Sequence, residues 1–463
     1  MWGSRQALKL ALAGTLCLAA LTGCADSLPS LPKIADLNPF KEKEAPLPGR
    51  RIPVLPEKPV LPGELADAAQ PIALPEQRAN ETWSQPGGEA NNAPGHLALS
   101  GSVRQSWSAD AGQGSNKTGR VTASPIVAEG RVYALDAGGN VSAFSLGGGS
   151  AVWRTTLKQS EDPNKKTPFN PSSLLSLGGD DGGGYGGGLA FDNGRLFAAS
   201  GFGTVIALDP GSGKRLWEKN LGAPVRASPT VSGERVFVVT TEGRAYCLSA
   251  TDGTELWTAR GLPQQASLVL SASPAVDGDV VVFPYPSGDL VALRVTDGTP
   301  VWTESLGSTR TTSQLTSLSD AARPVIDSGV VFAIGHGGRM IATQLKTGER
   351  LWSMNIPGTQ APWVAGGSVF VVDTTGQLLA IGRHDGKVQW TAKLPGGTTW
   401  SGPTLAGGTL WLASNKGQLV GVEATSGRVT GQQDLGDPVY VAPVVAQSKM
   451  FVLTDTAKLI GLN

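Results

Sequence analysis

Cysteine is scarce in this chain: 463 residues hold three, Cys17, Cys24 and Cys247. No two are adjacent and none stands in a metal-ligand spacing, which excludes a disulfide-stapled scaffold and a thiolate cluster. Histidine is equally sparse. His96, His336 and His384 are dispersed, with none of the spacings that bring imidazoles onto one metal ion. Excess charge of either sign is also missing: 38 basic residues balance 38 acidic ones, so no basic stripe is available to displace counterions from nucleic acid, and nucleic acid is excluded as a partner. Long apolar runs are absent too. The stretch Leu10 to Leu21 is too short for a usual membrane span; with Arg5 and Lys9 at its start it has the layout of a secretory signal, which sets residues 1–23 outside the fold.

Glycine, by contrast, is abundant, and it carries a repeat. Gly149, Gly213, Gly253, Gly298, Gly348 and Gly386 are each followed four residues later by a tryptophan, at 153, 217, 257, 302, 352 and 390. The tryptophans lie 64, 40, 45, 50 and 38 residues apart, mostly near the period of four-stranded propeller blades. Within a unit, four short β-rich segments are separated by Gly-containing turns. In the third these are Ser228 to Val231, Val236 to Val239, Ala245 to Leu248 and Leu256-Trp257. The second segment of each unit is apolar on successive residues, as in Val369 to Val372, which requires a sheet covered on both faces.

Proline opens the first strand of nearly every unit, at 125, 229, 274, 324, 362, 403 and 443, where a residue without an N–H is tolerated; the second unit opens instead on Gly187-Gly188. The seventh keeps its glycine, Gly427, but has Gly431 in place of tryptophan. After it come three strand-like segments ending at Leu462, and the missing fourth is supplied from the other end by Val103 to Trp107. The expectation is an all-β, eight-bladed propeller of four-stranded antiparallel blades, spanning 96–463 and closed by an N-terminal strand joining the C-terminal blade. Cys247 takes the position that Ala207, Ala292 and Ala380 hold in other units, the place of a small buried core residue.

Residues 24–95 differ in kind. The stretch from Ala25 to Gly95 holds 13 of the 32 prolines, the composition of a semi-rigid tether, although Trp83 to Gly88 resembles an element that precedes such repeats and suggests order from near residue 80. Leu21-Thr22-Gly23-Cys24 resembles a bacterial lipobox, which implies cleavage before Cys24 and lipidation (palmitate among the acyl groups) of that cysteine. Ala25 after it favours sorting to the outer membrane.

Lipobox, tether and eight blades, six of them carrying Gly-x-x-x-Trp, together resemble the BamB family, the propeller lipoproteins of the machinery that assembles β-barrels in the bacterial outer membrane. The resemblance implies a non-catalytic, cofactor-free scaffold lying in the periplasm. It also implies partners: the POTRA domains of BamA, other lipoproteins of the assembly complex, and unfolded outer membrane proteins. Two segments match where family members contact POTRA domains. Ser267 to Ser271 contributes Leu268 and Leu270, and Leu318 to Pro324 contributes Asp320. The sequence departs from the family there, with Ser271 where an arginine can stand and no second aspartate after Asp320, while Arg310 or Arg323 offers a positive group nearby. Leu268 and Leu270 read equally as strand packing.

The same repeat occurs in pyrroloquinoline-quinone dehydrogenases, so an enzyme is one alternative; a propeller binding another peptide or a cell-wall partner is the other. The dehydrogenase pattern of adjacent cysteines is absent, and His336 and His384 sit in glycine turns. Asp180-Asp181, in a glycine-rich stretch, reads as an inter-blade loop or as a calcium ligand pair, without the alternating ligands of an EF-hand.

Overall fold

The computed structural model of the protein describes residues 72–101, 103–158, 186–261, 272–307 and 321–463. The described residues form eight four-stranded antiparallel sheets, each an up-and-down meander. Blades 1 to 7 are contiguous in sequence and begin at Ile126, Gly187, Thr230, Ala275, Val325, Trp363 and Trp400. Blade 8 is built from both ends: Val444–Ala446, Lys449–Leu453 and Lys458–Leu462 are completed by Gln105–Asp110, which pairs antiparallel with Lys458–Leu462. The closing strand thus starts two residues later than the sequence suggests and runs on to Asp110. First strands of neighbouring blades touch and so ring the axis. The prolines stand at or just before them, where no ladder donor is required.

Blade 2 opens on glycine because its chain passes so close to blade 3. A Cβ on Gly186 would lie 2.7 Å from the Arg226 backbone, and one on Gly188 would strike the Ser228 hydroxyl.

The Gly-x-x-x-Trp pair has a simple physical origin. On the third strand a small residue faces the tryptophan of the fourth: Ala143 faces Trp153, Ala207 faces Trp217, Cys247 faces Trp257 and Gly461 faces Trp107. An aromatic ring of the second strand meets the indole over that small residue, as Tyr133 meets Trp153 at 5.9 Å and Phe370 meets Trp390 at 6.0 Å between centroids. The outer side of the indole docks on the next blade. There it covers the glycine of the turn between the third and fourth strands, whose φ is positive: a Cβ on Gly253 would lie 2.6 Å from Trp217, and one on Gly298 2.6 Å from Trp257. The indole N–H of each donates to a carbonyl beside that turn, Trp217 to Ala250 at 3.0 Å and Trp257 to Val295 at 2.9 Å. Glycine and tryptophan within one unit therefore serve two different interfaces.

This arrangement explains the degenerate seventh blade. Gly427 is retained because it receives Trp390 from blade 6. The tryptophan is dispensable because blade 8, split between the chain termini, has no turn joining its third and fourth strands on which an indole could dock. Trp411, on the second strand of blade 7, covers Gly421 in its place.

Of the tether expected over 24–95, residues 72–95 are described, and they lie against the propeller. Ile72, Trp83, Gln85, Asn92 and His96 are buried. Cys24 lies outside the described residues.

Candidate functional site

The inner edge of each first strand would present unpaired backbone groups to the axis, a costly arrangement away from water. Residues 80 to 100 supply the partners, touching the blades in turn. Asn80 bonds Gln447 and Val445 of blade 8. Trp83 exchanges two backbone bonds with Val127 of blade 1, and the Ser84 carbonyl accepts from Phe191 of blade 2. The Gln85 side chain bonds both the N–H and the carbonyl of Val231 in blade 3, each at 3.1 Å. The carbonyls of Ala90 and Asn91 accept from Val276 and Ile326 of blades 4 and 5, each at 2.8 Å. Gly95 accepts from the Trp363 indole of blade 6, Leu97 bonds Leu405 and Gly407 of blade 7, and Ser100 returns to Ser448 of blade 8. This belt makes one full circuit.

Asn92 and His96 tie the belt down further. The Asn92 amide donates to the carbonyls of Pro274 and Pro324. His96 accepts from the Gly408 N–H at Nε2, which leaves Nδ1 as the donor to the Pro75 carbonyl at 2.7 Å. His336 and His384 are exposed turn residues, as the sequence suggests.

Against the belt lies an axial cavity of about 280 Å³. Its wall is formed by residues at or just before the first strands of every blade except the second, with Pro86 contributed by the belt. Alanine, serine and threonine dominate, and Arg323 is the one charged side chain among the described residues lining it. The guanidinium Nε of Arg323 is fully enclosed without a hydrogen-bond partner, as is the Oγ of Ser273. Burial drives the Arg323 guanidinium down to about 10, since a charge removed from water is disfavoured.

Of the residues singled out in the sequence, Arg323 is therefore placed at the axis, immediately before blade 5. Leu268, Leu270 and Asp320 lie outside the described residues, as do Arg310 and the Asp180-Asp181 pair. Cys247 is buried among Phe237, Trp257 and Val281, and burial pushes its thiol up to about 12. Sequence reasoning missed the belt and the cavity. The belt has no repeat period; its only signals were the Trp83 to Gly88 element and the Asn91-Asn92 pair.

Eight blades around a closed axis, seven of them docked on the next by a tryptophan, define a quinoprotein-like propeller. The family profile described as outer membrane protein assembly factor BamB matches residues 89–169, 137–392 and 390–463, and the chain belongs to that family. A BamB of Kangiella koreensis is 29% identical over 143 residues, 31% of this chain and 33% of the relative. A BamB of Salmonella typhimurium is 24% identical over 143 residues, again 31% of this chain and 33% of the relative. These alignments span about a third of the length of the curated relatives. Among solved structures, BamB from Moraxella catarrhalis superposes with a TM-score of 0.62 at 18% identity, covering 78% of this chain and 100% of that one. A europium-containing methanol dehydrogenase also reaches 0.62, at 15% identity, covering 80% and 89%. These structural likenesses establish the fold alone.

Proposed function

We propose that this protein is a non-catalytic scaffold of the outer-membrane β-barrel assembly machinery, held to the outer membrane by lipid on Cys24 with its propeller in the periplasm. The observation that carries this reading is the match of the BamB family profile across the propeller. The small neutral residues that dominate the described cavity wall, around one arginine, are compatible with such a scaffold.

The partner in this reading is a POTRA domain of BamA, met by the segments carrying Leu268, Leu270 and Asp320. Main-chain pairing to a POTRA strand edge is the mode that best tolerates the departures at Ser271 and after Asp320. Arg323, the fourth residue of this reading, follows Asp320 closely in the chain and also lines the axial cavity.

Calorimetry of the purified protein with isolated POTRA domains tests the reading, and direct binding without any added cofactor is expected. Replacing Leu268 and Leu270 together by glutamate weakens it by at least about tenfold while thermal unfolding is unchanged. Absence of binding by the wild type rejects the assembly role, and full binding by the double variant moves the interface elsewhere.

A further inference from the structure

Arg323 is an unusual residue to find on a propeller axis. Its Nε is enclosed without a partner, none of the ion pairs among the described residues includes it, and no carboxylate side chain is among the described residues lining the cavity. Arg323 as a whole is only partly buried, but a guanidinium stays charged at neutral pH, and with its Nε enclosed and no counterion among the described residues that charge is poorly compensated. The cavity beside it is polar without being ionic. Thr122, Ser228, Ser273, Thr359 and Gln360 line it, and the Ser273 hydroxyl, 1% exposed as a residue, has no partner of its own. Two orphaned groups thus border one space of about 280 Å³, near the lower end of the sizes that hold small ligands.

We propose that the axial cavity is a binding site for a monocarboxylate, gripped by Arg323 and Ser273, whether as a free small acid or as the carboxylate end of a peptide. The charge count selects the class. One guanidinium neutralises one carboxylate and matches its two oxygens with a planar fork, whereas a phosphate dianion would leave a second charge uncompensated in a site with no other cation among the described residues. The remaining hydroxyls and the Gln360 amide suit the polar body of such a ligand. Pro86 and the belt behind it lie across the axis, so the ligand occupies a chamber within the disc rather than a channel through it. This inference does not rest on the POTRA reading, and either can fail alone.

The test uses the full-length protein in mild detergent and three probes: lactate, N-acetyl-alanyl-alanine, and the amide of that dipeptide. Saturable binding of at least one carboxylate is expected, with the amide weaker by about tenfold or more. The tighter of lactate and the dipeptide acid identifies the source. Arg323→Gln is expected to lower carboxylate affinity by about tenfold or more, and Ser273→Ala by a smaller factor. In thermal unfolding the carboxylate raises the Tm of the wild type and not of R323Q, while ligand-free R323Q melts no lower than the wild type because it loses a partly enclosed charge that has no counterion among the described residues. The proposal is overturned if neither acid binds at about 10 mM, if the amide or R323Q binds as tightly as the matched reference, or if ligand-free R323Q melts several degrees lower, which would assign Arg323 a structural partner.

Discussion

Trp390 rests on Gly427 of the following blade: a Cβ there would lie 2.7 Å from the ring, and the indole N–H donates to the Ala424 carbonyl at 3.0 Å. Gly427 is held at a φ of 73°, so alanine at this position meets both a left-handed backbone and an occupied space. Gly427→Ala is expected to destabilise the protein by about 2–5 kcal/mol, the sum of those two costs, in urea unfolding. Gly431, whose Cβ position is open, gives the opposite control. Gly431→Trp leaves stability within about 0.5 kcal/mol, because blade 8 has no turn to receive the indole. A clear gain in stability would show that the missing tryptophan is a lost contact and not a redundant one.

Closure through the termini makes Trp107 a seam residue. It sits opposite Gly461, meets Phe451 at 6.0 Å and covers Gly149 of blade 1. Trp107→Ala is expected to cost about 3 kcal/mol, the low end for a buried tryptophan because this residue is only partly buried. The loss should appear as a lower midpoint of one cooperative transition. Two separated transitions would mean that the blades do not depend on the seam.

Much of this molecule was legible in the sequence, for reasons the structure makes explicit. The glycines and tryptophans are visible because each indole-docked interface needs both, so the period of the fold is written in two constraints. The split blade was legible from Trp107 and the three final strands. The belt was not, because its bonds to the blades are mainly backbone bonds at great sequence separation, which impose almost no residue pattern, and its proline content resembles free chain. Arg323 was noticed for its charge, yet its placement at the axis depends on the convergence of eight first strands, which no local pattern records. Cys24, Leu268, Leu270 and Asp320 fall outside the described residues.

Gln85 is the most specific belt contact, since one side chain satisfies both backbone groups of Val231 and donates to the Phe191 carbonyl at 3.3 Å. Gln85→Ala leaves a buried donor and acceptor unpaired and is expected to cost about 2–4 kcal/mol. Hydrogen exchange locates the effect: the Val231 amide, protected in the wild type, exchanges faster in the variant. Unchanged protection there would mean the belt is not what pairs the inner edge.

Cys247 gives the stability a basic limit. Its thiol is raised from the ordinary 9.0 to about 12, so the folded state holds its proton where the unfolded state releases it. The contribution is complete below pH 9 and is lost as the pH rises from about 9 toward 12, with a slope of at most about 1.4 kcal/mol per pH unit. Cys247→Ala, which substitutes the residue found at the matching place in other blades, should flatten the stability profile over that window. An identical slope in the variant would assign the loss to other groups.

Lipidation is tested separately. Cys24→Ser is expected to abolish incorporation of a fatty-acid analogue in cells and to release the protein from membranes. Labelling equal to the wild type would remove the anchor from the proposal.

The belt acts as a gauge of blade number. Its contacts follow the blades in order from Asn80 on blade 8, through Trp83, Gln85, Asn91 and Leu97, to Ser100 on blade 8 again. A ring with one blade more or fewer would break this correspondence partway round, leaving the remaining inner edges without partners. The belt, which precedes every blade in the sequence, leaves the ribosome before them, yet it finds its last neighbours only when Val445 and Ser448 have been made and seated. Completion of the disc is therefore sensed by residues synthesised before any blade exists, and an incomplete disc keeps that segment unsatisfied.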